Sequence, residues 1–181
     1  IEMTFLRTFT ARYLLSSISL FLVIGAYAVE RISKKISAFL LLILLLPLPL
    51  RFDYELLTNP PPKSLPDAER KGYFEEWTAG YGFKEIATYL IERKKEGSVV
   101  VGTEGFFGTL PDGLYIYLDK AGISIVGSTA TISAQIRDAT QNHLTFFVGN
   151  KNNLKNIGGV ELVKEYPKFG VDSTVLFRVK P

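Results

Sequence analysis

FKEIATYLIERKKEGSVVVGTEGFFGT, residues 83–109, places a helix, a stop, a strand and a loop in direct succession. Phe83, Ile86, Ala87, Leu90 and Ile91 recur at three- and four-residue spacing, which predicts an amphipathic helix over 83–96. Arg93, Lys94 and Lys95 crowd its last turn beside the negative end of the helix dipole, and Gly97 stops it. The β-branched run at 98–101 follows, the pattern of a strand buried on both faces. The loop at 102–109 then carries Gly102, Gly105 and Gly108. That G-x-x-G-x-x-G spacing is not the dinucleotide fingerprint, and Glu104 at its mouth would repel a phosphate. A tight connection at the carboxyl end of a buried strand is still where open α/β sheets keep their ligand crevices.

Downstream the alternation continues. Residues 110–118 read as a short helix, with Pro111 in the first turn and Asp112 near its positive end. Strands are expected at 123–126, 144–148, 160–166 and 174–179, with a helix at 133–140 and a loop at 151–159. The connection at 167–172 resembles a hairpin turn. This order predicts an α/β domain with a mostly parallel, three-layer sheet and an antiparallel pair at one edge.

Upstream, two runs carry no charge: residues 13–29 (YLLSSISLFLVIGAYAV) and 36–50 (ISAFLLLILLLPLPL). Leu40 to Leu46 is apolar on every face, as a bilayer-spanning segment is and an amphipathic core helix rarely is. Both runs lie at the short end of the roughly 20 residues a span needs. The break between them holds Arg31, Lys34 and Lys35, and short basic loops stay cytoplasmic. A membrane hairpin is therefore expected over residues 1–50. An exit linker with a short helix is expected over 51–79, and an extracytoplasmic α/β domain over 80–181. Pro60, Pro61 and Pro62 favour an extended, semi-rigid linker, with a ligand for a proline-binding module as the alternative. Tyr73, Phe74 and Trp77 either pack into the domain or rest at the headgroup level. Lys151 and Lys168 are expected to be open to labelling from outside.

The charge divides the same way. Residues 1–50 hold five Lys/Arg against two Asp/Glu, and residues 51–181 hold 16 of each, so the net +3 belongs to the apolar part. A neutral domain without a basic stripe argues against nucleic acid as a partner. There is no cysteine and one histidine, which removes disulfides, thiolate metal sites and histidine clusters. His143 opens a strand and reads as structural. Glu75 and Glu76 are adjacent and point apart, a poor acid–base pair. The domain reads as a binding or scaffolding module.

Two stretches carry a family resemblance. The segment Thr10-Ala11-Arg12-Tyr13-Leu14-Leu15 resembles the entry to a late transmembrane helix in certain polytopic glycosyltransferases. These are the protein O-mannosyltransferase and lipid A aminoarabinose transferase type, which use polyprenyl-phosphate sugars. Residues 77–82 (WTAGYG) and 102–118 resemble the C-terminal extracytoplasmic domain of bacterial members. The resemblance implies the C-terminal part of a multi-pass inner-membrane enzyme that transfers a sugar on the outer face. The catalytic carboxylate of such enzymes lies in an early external loop, outside this chain. Arg12 and Tyr13 are then candidates for holding the lipid-linked phosphate; a plain snorkelling role for Arg12 is the alternative. Trp77, Tyr81, Glu104, Phe106 and Asp112 are the candidates for a substrate surface. No cofactor is expected in this chain, and the parent's use of a divalent metal is left open. A membrane-anchored extracytoplasmic binding domain without catalytic activity is the second expectation.

Overall fold

A computed structural model describes residues 15–31, 43, 46–155 and 157–181. The chain divides into two compact units, Ile1–Arg70 and Lys71–Pro181.

In the first unit, helix α1 spans Leu15–Arg31. All of its described side chains are exposed, among them Leu20, Phe21, Leu22 and Val23. Arg31 folds back at its end, donating to the Tyr27 hydroxyl at 2.7 Å. Among the described residues, no helix is long and apolar enough to cross a membrane. Arg12, Tyr13 and most of the second apolar run lie outside the described residues. Helix α2 spans Pro47–Thr58, running from the end of the second apolar run into the expected exit linker. The local chemistry accounts for this. Pro47 and Pro49 sit in the first turn, where a missing N–H costs nothing, and Asn59-Pro60 ends the helix. Glu55 then clamps the chain beyond the helix, accepting from the Lys63 N–H at 2.7 Å and the Ser64 hydroxyl at 2.8 Å. The Ser64 bond, with that of Lys63, holds its carboxyl below the usual range. A single turn, α3, covers Asp67–Arg70.

The second unit begins at Lys71. Lys71–Glu75 form one wide turn, closed by Glu76 N–H donating to the Lys71 carbonyl at 2.8 Å. Phe74 accepts from the Phe169 N–H at 3.2 Å, and the Phe74 and Phe169 rings meet edge to face at 6.0 Å. This entry segment therefore belongs to the α/β body. After it come α4 (Phe83–Arg93), β1 (Val99–Glu104), α5 (Thr109–Leu118), β2 (Ser124–Ser128) and α6 (Ala134–Ala139). Strands β3 (Leu144–Asn150), β4 (Val160–Pro167) and β5 (Ser173–Val179) complete the unit.

The five strands form one mixed sheet in the order β2-β1-β3-β5-β4. Strand β1 pairs parallel with β2 and β3, while β5 pairs antiparallel with both β3 and β4. The expected antiparallel pair sits at one edge. The sheet is mixed because β5, returning through a tight turn, inserts between β4 and the parallel trio. Period-two alternation splits the core. Val99, Val101, Phe146, Val148 and Leu176 face α4 and α5, and Phe147 and Val179 face Ile132 and Ile136 on the α6 side. Of the α4 stripe, Phe83, Ile86, Ala87 and Leu90 are buried, whereas Ile91 is 40% exposed at its margin. Helix α6 lies close because Gly102 offers no side chain. A Cβ there would stand 2.5 Å from Ile136 Cδ1 and 2.9 Å from Phe147 Cδ2.

Topology decides where the loops go. Strands β1, β2, β3 and β4 run in one direction, so the segments following all four emerge at the same end of the sheet. The entry segment Lys71–Glu75 joins them there, held against the β4–β5 turn.

Candidate functional site

At that end, beyond β1, β2 and β3, lies a crevice of about 260 Å³. It sits just under the ~300–1,000 Å³ typical of small-ligand pockets, which suits a single ring-sized group. Trp77, Phe106 and Phe107 form its lip, and Glu104, Ser128 and Asn150 line it from the strand ends. Trp77 is 52% exposed and Phe107 85%.

The glycine loop makes this shape without becoming an anion cradle. Gly105 N–H donates to the Ser128 carbonyl at 2.7 Å, and Gly108 N–H donates to Asp112 Oδ2 at 2.9 Å. Both amides are consumed inside the protein, so neither is left to point at a phosphate. Gly108 has φ +91° and ψ −153°, a conformation side chains rarely adopt, and it directs the chain into α5.

Behind the lip runs a polar relay. Glu104 Oε2 accepts from the Asn150 N–H at 2.6 Å and from Asn150 Nδ2 at 3.2 Å. Its Oε1 accepts from Asn153 Nδ2 at 2.6 Å. Asn150 Oδ1 accepts from Lys168 Nζ at 2.5 Å. Lys168 Nζ also donates to the Glu76 carbonyl at 2.9 Å and to Asp172 Oδ2 at 3.4 Å. A carboxylate on one side of Asn150 and an ammonium on the other set which way its amide faces. The Lys168 side chain is wholly buried. Burial pushes its ammonium below the ordinary lysine value, outweighing the opposite pull of Asp172 and Glu104. Lys168 is thus no labelling target, contrary to its place in an apparently exposed turn. Lys151 is exposed and pairs with Glu165 at 2.9 Å.

Of the residues expected to form a substrate surface, Trp77, Glu104 and Phe106 line the crevice together. Asp112 stands behind the loop, bracing Gly108. Tyr81 turns away to pack edge to face on Phe169 at 5.5 Å, where burial raises its phenol above its ordinary value. Arg12 and Tyr13 lie outside the described residues. Sequence reasoning missed Asn150, Lys168 and Asp172. Asn150 left a trace, a polar residue closing the apolar run LTFFVG, while Lys168 left none.

His143 lies at the opposite end, its Nδ1 2.6 Å from the Ser98 hydroxyl, tying the starts of β1 and β3. Among the described residues, no group of three or more His, Cys, Asp or Glu is placed to hold a metal ion. Glu104 accepts three hydrogen bonds, and the Ser128 hydroxyl, which shares the crevice lining, donates to the Thr131 carbonyl at 2.8 Å. Comparison with family models, curated proteins and solved structures finds no match to this chain.

Proposed function

We propose that this chain is the C-terminal part of an integral membrane glycosyltransferase that takes its sugar from a polyprenyl-phosphate donor on the extracytoplasmic face. The α/β unit serves it in an acceptor-binding or scaffolding role. The two apolar runs form a membrane hairpin, and the mixed sheet carries its helices outside the bilayer. The observation that supports the reading most is the crevice itself. Three aromatic side chains surround a neutral-ligand-sized recess at the carboxyl ends of parallel strands. Electron-rich ring faces attract the polarised C–H face of a sugar. Glu104 disfavours an anionic occupant, which directs the phosphate-bearing donor elsewhere, toward Arg12 and Tyr13.

Trp77 is the chain's single tryptophan, so its fluorescence reports on this site alone. Titrating the chain in detergent micelles with neutral hexoses and pentoses should change its emission saturably, and Phe106→Ala should weaken the response at least several-fold. A flat response to every sugar, with the fold intact, removes the acceptor role. In the complete transferase, Arg12→Ala should abolish transfer without lowering expression; full retention discards the phosphate clamp. The second reading, an anchored binding domain without catalysis, is favoured by the three hydrogen bonds that Glu104 accepts. The coding sequence ahead of Ile1 separates the two. Further apolar spans with an acidic external loop belong to the transferase, and a nearby start codon to the anchor.

A further inference from the structure

The α/β unit has two chemically different ends. At the end that bears the crevice, Tyr73, Trp77, Phe106, Phe107, Phe169 and Val171 are all exposed, Val171 by 95%. They come from three separate segments: the entry segment, the β1–α5 loop and the β4–β5 turn. Packing does not require these exposures, and large apolar side chains on adjacent loop tips are a marked interaction surface. Lys71, Glu76, Lys151 and Lys155 are exposed there as well, and the far end is the more highly charged of the two although Ile116 and Tyr117, in the last turns of α5, are also exposed. There α4, α5 and β5 finish, and the exposed side chains include Lys94, Lys95, Glu96, Asp119, Lys120 and Lys180. The polypeptide also enters the unit at the aromatic end, through Lys71–Glu75, arriving from the apolar N-terminal runs.

We infer that the aromatic end docks on the lipid headgroup interface, seating Phe107 and Val171 at acyl-chain depth with Trp77 and Tyr73 at the headgroup level. Tryptophan and tyrosine favour that level because an amphipathic ring satisfies both sides of it. Exposed aliphatic and phenylalanine side chains gain by leaving water for the acyl boundary. The charged end then points into the aqueous phase. The crevice opens along the membrane surface, where a lipid-linked sugar would pass. The inference rests on the membrane anchoring in the proposed function, but not on the transferase activity.

The chain has no cysteine, so single-cysteine probes are clean. Phe107→Cys, Val171→Cys, Lys95→Cys and, as anchor marker, Phe21→Cys would each carry an environment-sensitive fluorophore. The full chain is reconstituted in phosphatidylethanolamine–phosphatidylglycerol nanodiscs, with and without brominated acyl chains. Docking predicts blue-shifted emission at positions 21, 107 and 171, quenched by brominated lipid at least threefold more than at 95. If 107 and 171 stay as water-like as 95 while 21 is quenched, docking is wrong and anchoring stands. If 21 is also unquenched, the anchoring premise itself fails. Probes at 107 and 171 that are shielded from water yet unquenched place a protein surface there instead, which likewise overturns the inference.

Discussion

Lys168→Met tests whether the buried relay organises the site. The substitution keeps the aliphatic stem and removes the ammonium. It leaves Asn150 Oδ1, the Glu76 carbonyl and Asp172 Oδ2 without that donor. Removing one partner of a buried pair costs about 3–5 kcal/mol. Burial already outweighs attraction at Lys168, so the lost ammonium was itself costly, and the expected penalty lies near the lower figure, about 3 kcal/mol. For a unit the size of Lys71–Pro181 that corresponds to a Tm lower by roughly 10–15 °C. Asp172→Asn alone should also destabilise, because it strands the ammonium. The Lys168→Met/Asp172→Asn pair should cost at least about 1 kcal/mol less than the sum of the single changes. The sign with pH follows from the depressed folded value. The unfolded chain, near the ordinary 10.5, holds this proton more tightly than the folded one. Stability contributed by Lys168 therefore rises with pH between its folded value and 10.5, and Lys168→Met removes that rise. Thermal unfolding followed by circular dichroism in detergent, at several pH values, reads both effects. A Lys168→Met protein within about 1 kcal/mol of the parent, or an additive double variant, would refute the reasoning.

Gly102→Ala should cost about 1–3 kcal/mol, because its Cβ would stand 2.5 Å from Ile136 Cδ1 in a filled core; adding Ile136→Val, which deletes that atom, should return part of the loss on denaturant titration. Thr174→Val should be neutral or stabilise by up to about 1 kcal/mol, since the Thr174 hydroxyl is buried without a hydrogen-bond partner among the described residues; a drop in Tm would reveal a missed partner. Asp112→Ala should lower stability by about 1 kcal/mol, measured as a shift in urea midpoint, because it frees the Gly108 N–H that its carboxylate accepts. Phe107→Ser should leave the unfolding midpoint within about 0.5 kcal/mol while altering whatever the crevice lip contacts.

Residues whose role depends on near neighbours in sequence were legible. The stripe Phe83, Ile86, Ala87 and Leu90 and the β-branched run from Val99 each declare a buried face through spacing alone. Glu104 and Phe106 were reachable too, because a glycine-rich turn after a buried strand has few places to put its side chains, whereas Trp77 was singled out for the site only by the resemblance of residues 77–82. The start of α2 was also written in the sequence, in Pro47, Pro49 and Asn59-Pro60, but the hydrophobicity of the preceding run masked it. What escaped depends on distant pairing. Lys168 is buried only because the β4–β5 turn closes on Glu76 and Asn150, and no local pattern distinguishes it from a solvated turn lysine. The insertion of β5 between β3 and β4 is likewise a choice among sheet edges that a hairpin signal leaves open.

The floor and lip of the crevice do different work, and this constrains what the site can recognise. Glu104 already accepts three hydrogen bonds, and the Gly105 and Gly108 amides are spent on Ser128 and Asp112. The Gly105 and Gly108 amides could bind a phosphate only by giving up the bonds they make, and Glu104, with three of its roughly four acceptor sites filled, leaves room for little more than one incoming hydroxyl. The lip is the opposite: Phe106, Phe107 and Trp77 present ring surface that nothing in the unit covers fully. Discrimination must then come from ring faces and from the width of the recess. A neutral, flat-faced group meets those terms, whereas a phosphate meets the Glu104 carboxylate and finds the Gly105 and Gly108 amides already spent. Under the proposed function, the α/β unit would therefore read the sugar, and its phosphate would be held elsewhere, at Arg12 and Tyr13.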